Sequence, residues 1–224
     1  MDEAVEMATA LRQAGYSTVY CTPHMLKGTF EVDNATVRTT LSSLQAELTR
    51  RQIELQLLPG REYYLDEFFA DHLRDPLPLG DSKLILVELS NYNPVEYVKE
   101  TFFRLRSAGY TPLIAHPERC RLLELPEPPK KGLRALLNTI NSKLRTQNSE
   151  LDKASLLIYL REIGCNFQGN LGSFAGLYGE RVQRQAEQFR AAGLYTHYGS
   201  DLHSAGQKDI LSMAGTLSLC TGVV

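Results

Sequence analysis

Leu84-Ile85-Leu86-Val87-Glu88-Leu89 decides the fold: five apolar side chains with no polar alternation, broken by a single carboxylate. A strand that is apolar on both faces must be covered on both, which points to a parallel sheet flanked by helices or to a barrel. Working outward, Thr111–Ala115 repeats the pattern, and shorter strands are expected at Thr18–Cys21, Glu54–Leu58, Cys165–Gln168 and Tyr195–Tyr198. Helical spacing between them predicts helices over Asp2–Ala14, Asn34–Arg51, Tyr64–Leu73, Val95–Ala108, Ser155–Ile163, Arg181–Ala192 and Asp209–Leu217. Arg106-Ser-Ala-Gly-Tyr110 and Arg190-Ala-Ala-Gly-Leu194 read as matching helix ends, with Gly109 and Gly193 as the stops. The segment 125–152, opening Pro126-Glu-Pro-Pro-Lys-Lys131, reads as an elaboration between two units, with a helix near Leu133–Leu144.

With 224 residues, 43% of them hydrophobic, the chain can bury one substantial core, so a single domain over 1–224 is expected. The net charge of −2 and the lack of a Lys/Arg block interleaved with aromatics remove nucleic acid as a partner. Apolar runs are far shorter than a membrane span and the N-terminal stretch is acidic, so a cytoplasmic protein is expected.

Cys21, Cys120, Cys165 and Cys220 are scattered, with neither a C-x-x-C pair nor a disulfide framework. A cysteine-based phosphatase needs an arginine six residues after its thiolate. The residues found there are Lys27, Pro126 and Leu171, and the chain ends before that distance beyond Cys220, so that mechanism is excluded.

The residues able to do other chemistry are placed unevenly. His24, Glu62, Glu88, His116, Asp201 and His203 each stand at or just after the C-terminal end of an expected strand. In a parallel barrel those ends converge on one face, where active sites are built. Mixed imidazole and carboxylate donors suit Mn, Fe or Zn in sites with open positions. Taken singly, a histidine after a strand is more often a hydrogen-bonded core residue. For Glu88 the alternative is weakest, because a carboxylate closing an apolar run costs several kcal/mol unless paired or bound to a cation. His72 is expected on the solvated surface and His197 in the core.

Thr22-Pro-His24 with Lys27-Gly28, Pro59-Gly-Arg-Glu62, Val87-Glu-Leu-Ser90, Ile114-Ala-His-Pro-Glu-Arg119, Gln168-Gly-Asn-Leu-Gly-Ser173 and Ser200-Asp-Leu-His203 follow in order along nearly the whole chain. This string resembles the capsular and exopolysaccharide tyrosine-phosphatase branch of the polymerase-and-histidinol-phosphatase (PHP) superfamily. The resemblance implies an α/β fold, a distorted (β/α)₇ TIM-like barrel of PHP type, with two or three Mn²⁺ ions, Fe or Zn being alternatives. It implies that a metal-bound hydroxide hydrolyses phosphotyrosine on the tail of a membrane-associated tyrosine autokinase for polysaccharide export. By position, His24, Glu62, Glu88, His116, Asp201 and His203 match its metal ligands. Arg119 matches its phosphate clamp, Asp201 a catalytic acid acting through water, and Lys27 and Lys208 further substrate contacts.

The family's opening H-x-H strand has no counterpart before the first helix, so an open barrel edge and self-association across it are expected. Two alternatives accompany this reading: a catalytically inactive homologue that binds phosphotyrosine or a partner, and a small-molecule phosphatase of the histidinol-phosphate type.

Overall fold

The computed structural model describes residues 1–126 and 149–213. The expected helix near Leu133–Leu144 and the far end of the last expected helix lie outside the described residues. In chain order the elements are α1 (Asp2–Gln13), β1 (Thr18–Cys21), β2 (His24–Met25), α2 (Asn34–Arg50), β3 (Gln56–Pro59) and β4 (Glu62–Tyr64). There follow α3 (Phe69–His72), β5 (Leu84–Glu88), α4 (Val95–Ser107), β6 (Thr111–Ala115) and two 3-10 turns, Pro117–Arg119 and Arg121–Leu123. The remainder is α5 (Ser149–Glu162), β7 (Asn166–Asn170), α6 (Leu171–Phe174), α7 (Glu180–Ala191), β8 (His197–Gly199) and a 3-10 segment, Ala205–Leu211.

Every strand pair is parallel: β2-β4-β5-β6-β7-β8 form one sheet, and β1-β3 pair separately. The two sheets are continuous in their bonding. Gly60 N–H donates to Cys21 C=O at 3.0 Å and Glu62 N–H to Pro23 C=O at 3.3 Å, carrying the ladder from β1-β3 into β2-β4. The interruption coincides with two residues that leave little choice. Pro23 cannot donate to a ladder, and a side chain at Gly60 would bring its Cβ to 2.6 Å from Leu79 Cδ2.

Alternation along the strands separates two faces. Tyr63, Ile85, Val87, Ile114 and Phe167 face outward and bury against Val98, Phe102 and Leu105 of α4, Leu156 and Leu160 of α5, and Phe189 of α7. Leu86, Leu113 and Ala115 face the other way and pack with Leu79, Tyr20 and Leu84. Val5, Ala8 and Leu11 of α1 lie with Val19, Leu57, Leu48 and Leu211 in a third cluster. Glu62 is the register partner of Leu86, and Gln168 that of Ala115, so both share the inner parity. Glu88 and Asn170, each two residues further along, share it too.

The result is the expected α/β architecture, as a curled parallel sheet. Among the described residues no strand closes it between β8 and β1-β2. The 3-10 segment after β8 instead meets α1: Glu3 Oε1 accepts from Ala205 N–H at 3.3 Å, and Lys208 Nζ lies 3.0 Å from Glu6 Oε1. The predicted helix ends hold, with Gly109 at φ 88° and Gly193 at φ 63°.

Some expected boundaries are corrected. Tyr64 does not begin a helix. It extends the β4 ladder opposite Glu88, and Asp66 Oδ1 then accepts from Phe68 N–H at 2.9 Å, which delays α3 to Phe69. The strand expected from Glu54 begins at Gln56, and the last expected helix is 3-10 from Asp209 to Leu211 and α-helical at Ser212 and Met213, where the described residues end. His72 is only half-exposed, with Nε2 enclosed.

Candidate metal centre

His24 of β2 and Glu62 of β4 are register partners, so their side chains leave neighbouring strands on the same side. Glu88 is the last residue of β5 and His116 the first after β6. His116 turns the chain from strand into the Pro117–Arg119 turn with φ 31° and ψ 57°, and Asp201, just beyond β8, has φ 49°. Left-handed backbone at a non-glycine residue costs of order 1–3 kcal/mol and persists where its surroundings hold it, often at functional sites.

Ligand atoms of His24, Glu62 and Glu88 lie within 4.8 Å of one another. His116 Nε2 is 3.0 Å from Glu62 Oε1 and 3.9 Å from Glu88 Oε1. On the open side of the cluster, His24 Nε2 and His203 Nε2 approach to 3.3 Å. His203 Nδ1 lies 2.9 Å from the Asp201 carbonyl. A carbonyl only accepts, so Nδ1 carries the hydrogen and Nε2 presents its lone pair to His24.

Glu62 and His116 are both buried. Burial disfavours the charged His116 imidazolium, yet the hydrogen bond and charge of Glu62, with Glu88 behind, outweigh it and raise its proton affinity above that of an ordinary histidine. One imidazolium cannot balance two carboxylates. Two like charges no more than 4.8 Å apart repel by at least roughly 3.5 kcal/mol at an effective dielectric of about 20. Oxygen and imidazole donors that converge, carry surplus negative charge and are held by orienting bonds fit a divalent cation of the Mn, Fe or Zn type.

Beside this cluster lies a second polar group built round Asp201 and Arg119. Asp201 Oδ2 accepts from Arg119 Nη1 and from Asn170 Nδ2, both at 2.9 Å. The Arg119 guanidinium lies over the Tyr178 ring, 4.4 Å from its centroid. Burial raises the Tyr178 hydroxyl pKa, as does the nearby Asp201 carboxylate. Behind them the buried Glu118 accepts from Asn170 N–H at 3.0 Å and from Tyr195 Oη at 2.9 Å, tying the Arg119 turn to β7.

Of the residues expected at the site, His24, Glu62, Glu88, His116, Asp201, His203 and Arg119 are joined by these contacts. The two lysines are engaged elsewhere. Lys27 Nζ pairs with Glu31 at 2.6 Å and Lys208 Nζ with Glu6 at 3.0 Å, on exposed surface. His197 is half-buried in β8, and burial lowers its pKa.

Sequence reading missed the roles of Asn170, Tyr178 and Arg61. Asn170 closes a strand in the quoted Gln-Gly-Asn motif, so its position was legible although its bond to Asp201 was not. Arg61 is fully buried, donating from Nε to Asn34 Oδ1 and from Nη1 to the His24 carbonyl, both at 3.1 Å, while Nη2 has no partner. It clamps the backbone that carries His24. Burial lowers its pKa. No short-range pattern marks it.

Residues 1–127 match the family model for capsular polysaccharide synthesis, CpsB/CapC. The chain belongs to the CpsB/CapC family. The tyrosine-protein phosphatase YwqE of Bacillus subtilis (strain 168) is 31% identical over 204 residues, 90% of this chain and 70% of that protein. The putative tyrosine-protein phosphatase CapC of Staphylococcus aureus is 26% identical over 121 residues, 53% of this chain and 48% of that protein. A chain from the crystal structures of YwqE from Bacillus subtilis and CpsB from Streptococcus pneumoniae, described as unique metal-dependent tyrosine phosphatases, superposes with a TM-score of 0.75. It is 28% identical and covers 97% of this chain and 78% of that one. The CpsB/CapC match spans strands β1 to β6 and with them His24, Glu62, Glu88, His116 and Arg119. No helix among the described residues is long and apolar enough to cross a membrane.

Proposed function

We propose that this chain is a metal-dependent protein-tyrosine phosphatase whose divalent ions, Mn²⁺ first among them, are held by His24, Glu62, Glu88, His116, Asp201 and His203. The observation that carries the reading is the convergence of His24, Glu62 and Glu88, with ligand atoms within 4.8 Å of one another, on the buried His116, 3.0 Å from Glu62 Oε1 and 3.9 Å from Glu88 Oε1, beside the Arg119 guanidinium. When bound, such ions activate water and neutralise charge on phosphoryl oxygens.

The chain's own residues do the rest. Arg119, stacked on Tyr178, gives up Asp201 for two phosphoryl oxygens, a bidentate grip that resists rotation of the ester. Asp201, still held by Asn170, orients a water that gives a proton to the leaving oxygen, and the proton released by the attacking water replaces it. Water's oxygen joins phosphorus as the bond from phosphorus to the phenolic oxygen breaks. A phenolate departs readily, so weak acid assistance suffices.

The substrate we assign is the phosphotyrosine tail of a membrane-associated tyrosine autokinase, which is supported by the family's part in capsular polysaccharide synthesis. The reading takes 1–224 as one catalytic domain. The open sheet edges support self-association, and a monodisperse monomer by light scattering at micromolar concentration would sink that part.

The deciding experiment is hydrolysis of p-nitrophenyl phosphate and of a phosphotyrosine peptide with added Mn²⁺. Turnover is expected in the unaltered chain and none in His116→Ala. Equal turnover in both removes the site assignment, and tight phosphopeptide binding without turnover would favour a binding protein instead.

A further inference from the structure

Two exposed aromatic rings touch the candidate site from opposite ends. Phe30 is 49% exposed and its ring centroid lies 5.5 Å from that of His24. Tyr178 is 36% exposed, and one face of its ring carries the Arg119 guanidinium. Neither ring is loosely placed. Leu26 and Phe30 exchange backbone bonds of 3.0 and 2.9 Å across the Lys27-Gly28-Thr29 turn, forming an isolated antiparallel bridge. The Tyr178 ring packs closely over Gly172, where a Cβ would meet its Cε2 at 3.2 Å. Large apolar rings held rigidly in water beside a polar centre mark a surface that a ligand covers.

We propose that Phe30 and Tyr178 are the specificity-determining walls of the site, taking the aromatic leaving group of an aryl phosphate ester and disfavouring alkyl esters. The inference rests on the phosphoesterase reading and adds what selects the substrate. With phosphorus between His24 and Arg119, the ester oxygen points outward. A phosphotyrosine carries its ring directly on that oxygen, which puts the ring edge or face against Phe30 and the free side of Tyr178. A phosphoserine has a single methylene there, leaving both rings wet while its peptide backbone crowds the opening. Aromatic pairs of this kind prefer offset or edge-to-face contact and add to simple area burial.

The test uses the full chain with Mn²⁺ and two non-hydrolysable probes, phenylphosphonate and methylphosphonate, titrated by calorimetry. The unaltered chain is expected to bind the phenyl compound about tenfold more tightly, the effect of one or two aromatic contacts. Phe30→Ala is expected to cut that preference to about twofold, and the Phe30→Ala/Tyr178→Ala pair to abolish it. Phe30→Leu is expected to fall between. Phe30 is exposed, so Phe30→Ala should keep the unaltered melting temperature and metal content; Tyr178 supports Arg119, so the double variant is read only through its ratio of phenyl to methyl affinity.

Kinetics supply the second arm. In Phe30→Ala, kcat/KM falls for a phosphotyrosine peptide and stays level for the phosphoserine version of the same peptide. A phenyl preference that survives both substitutions, or that the unaltered chain lacks, overturns the proposal. Absence of any turnover with Mn²⁺ overturns the phosphoesterase reading instead, and the phosphonate titrations then decide the ring preference alone.

Discussion

His203 Nδ1 donates to the carbonyl of Asp201 at 2.9 Å, while its Nε2 stands 3.3 Å from His24 Nε2. A neutral imidazole with Nδ1 protonated has its lone pair on Nε2, so the short Asp-Leu-His loop aims at His24 of β2 the nitrogen proposed to bind metal. His203→Asn should weaken Mn²⁺ binding by more than the roughly 10–100-fold that loss of an outer-shell partner costs. Competition titration with a metal indicator reads this directly. Unchanged affinity would remove His203 from the ligand set.

Glu62 and Glu88 crowd a single imidazole, so a cation relieves a repulsion already present in the fold. Mn²⁺ at a hundredfold excess over its dissociation constant stabilises a protein by about 2.7 kcal/mol. In a domain of this size that raises Tm by roughly 5–10 °C. Chelation with EDTA should reverse the rise. Glu62→Gln should abolish the shift, and a full shift in that variant would mean the ion binds elsewhere.

In the proposed mechanism Arg119 exchanges Asp201 for phosphate, and only a planar fork makes two parallel bonds to phosphoryl oxygens. Arg119→Lys should lower kcat/KM for p-nitrophenyl phosphate roughly 100-fold, the scale seen when one transition-state donor is removed. Metal content should stay the same. Parallel loss of metal would mean that Arg119 serves the fold of the site rather than the phosphate.

Burial pushes the thiols of Cys21 and Cys120 up to about 11 and that of Cys165 up to about 12. At neutral pH the thiolate of each is therefore a trace, on the order of one part in a thousand or less. Iodoacetamide at pH 7.5 should leave phosphatase activity intact, whereas EDTA should remove it. Inactivation by the alkylating agent, with protection by phosphate, would restore a thiol mechanism that spacing had excluded.

Much of this was legible because strand ends in a parallel sheet are predictable positions. Leu84–Glu88 read as a doubly covered strand, and Ile85 and Val87 do face the α4–α5 layer while Leu86 faces inward. Glu88 and His116, at consecutive strand ends, therefore had to be near one another. Other features depend on contacts between distant segments. The strands break at Pro23 and Gly60, and the need for glycine at 60 comes from a distant segment: a Cβ there would meet Leu79 Cδ2 at 2.6 Å. The expected helix at Tyr64 loses to a ladder bond from Leu65 N–H to Glu88 C=O, 2.9 Å long.

The sequence by itself determined the parallel α/β order, the helix stops at Gly109 and Gly193, and the set of donors at strand ends, because these follow from local propensity and periodicity. Tertiary structure alone decided which groups meet. His24 and His203 are 179 residues apart and meet because the sheet curls its β2 edge round to β8, whereas Arg119 and Asp201, 82 apart, meet because only β7 separates β6 from β8. The same holds for Lys208, which follows the site motif closely in sequence yet pairs with Glu6 of α1. A side chain's partner is set by what the fold puts within a few ångströms, and spacing along the chain carries no information about that distance.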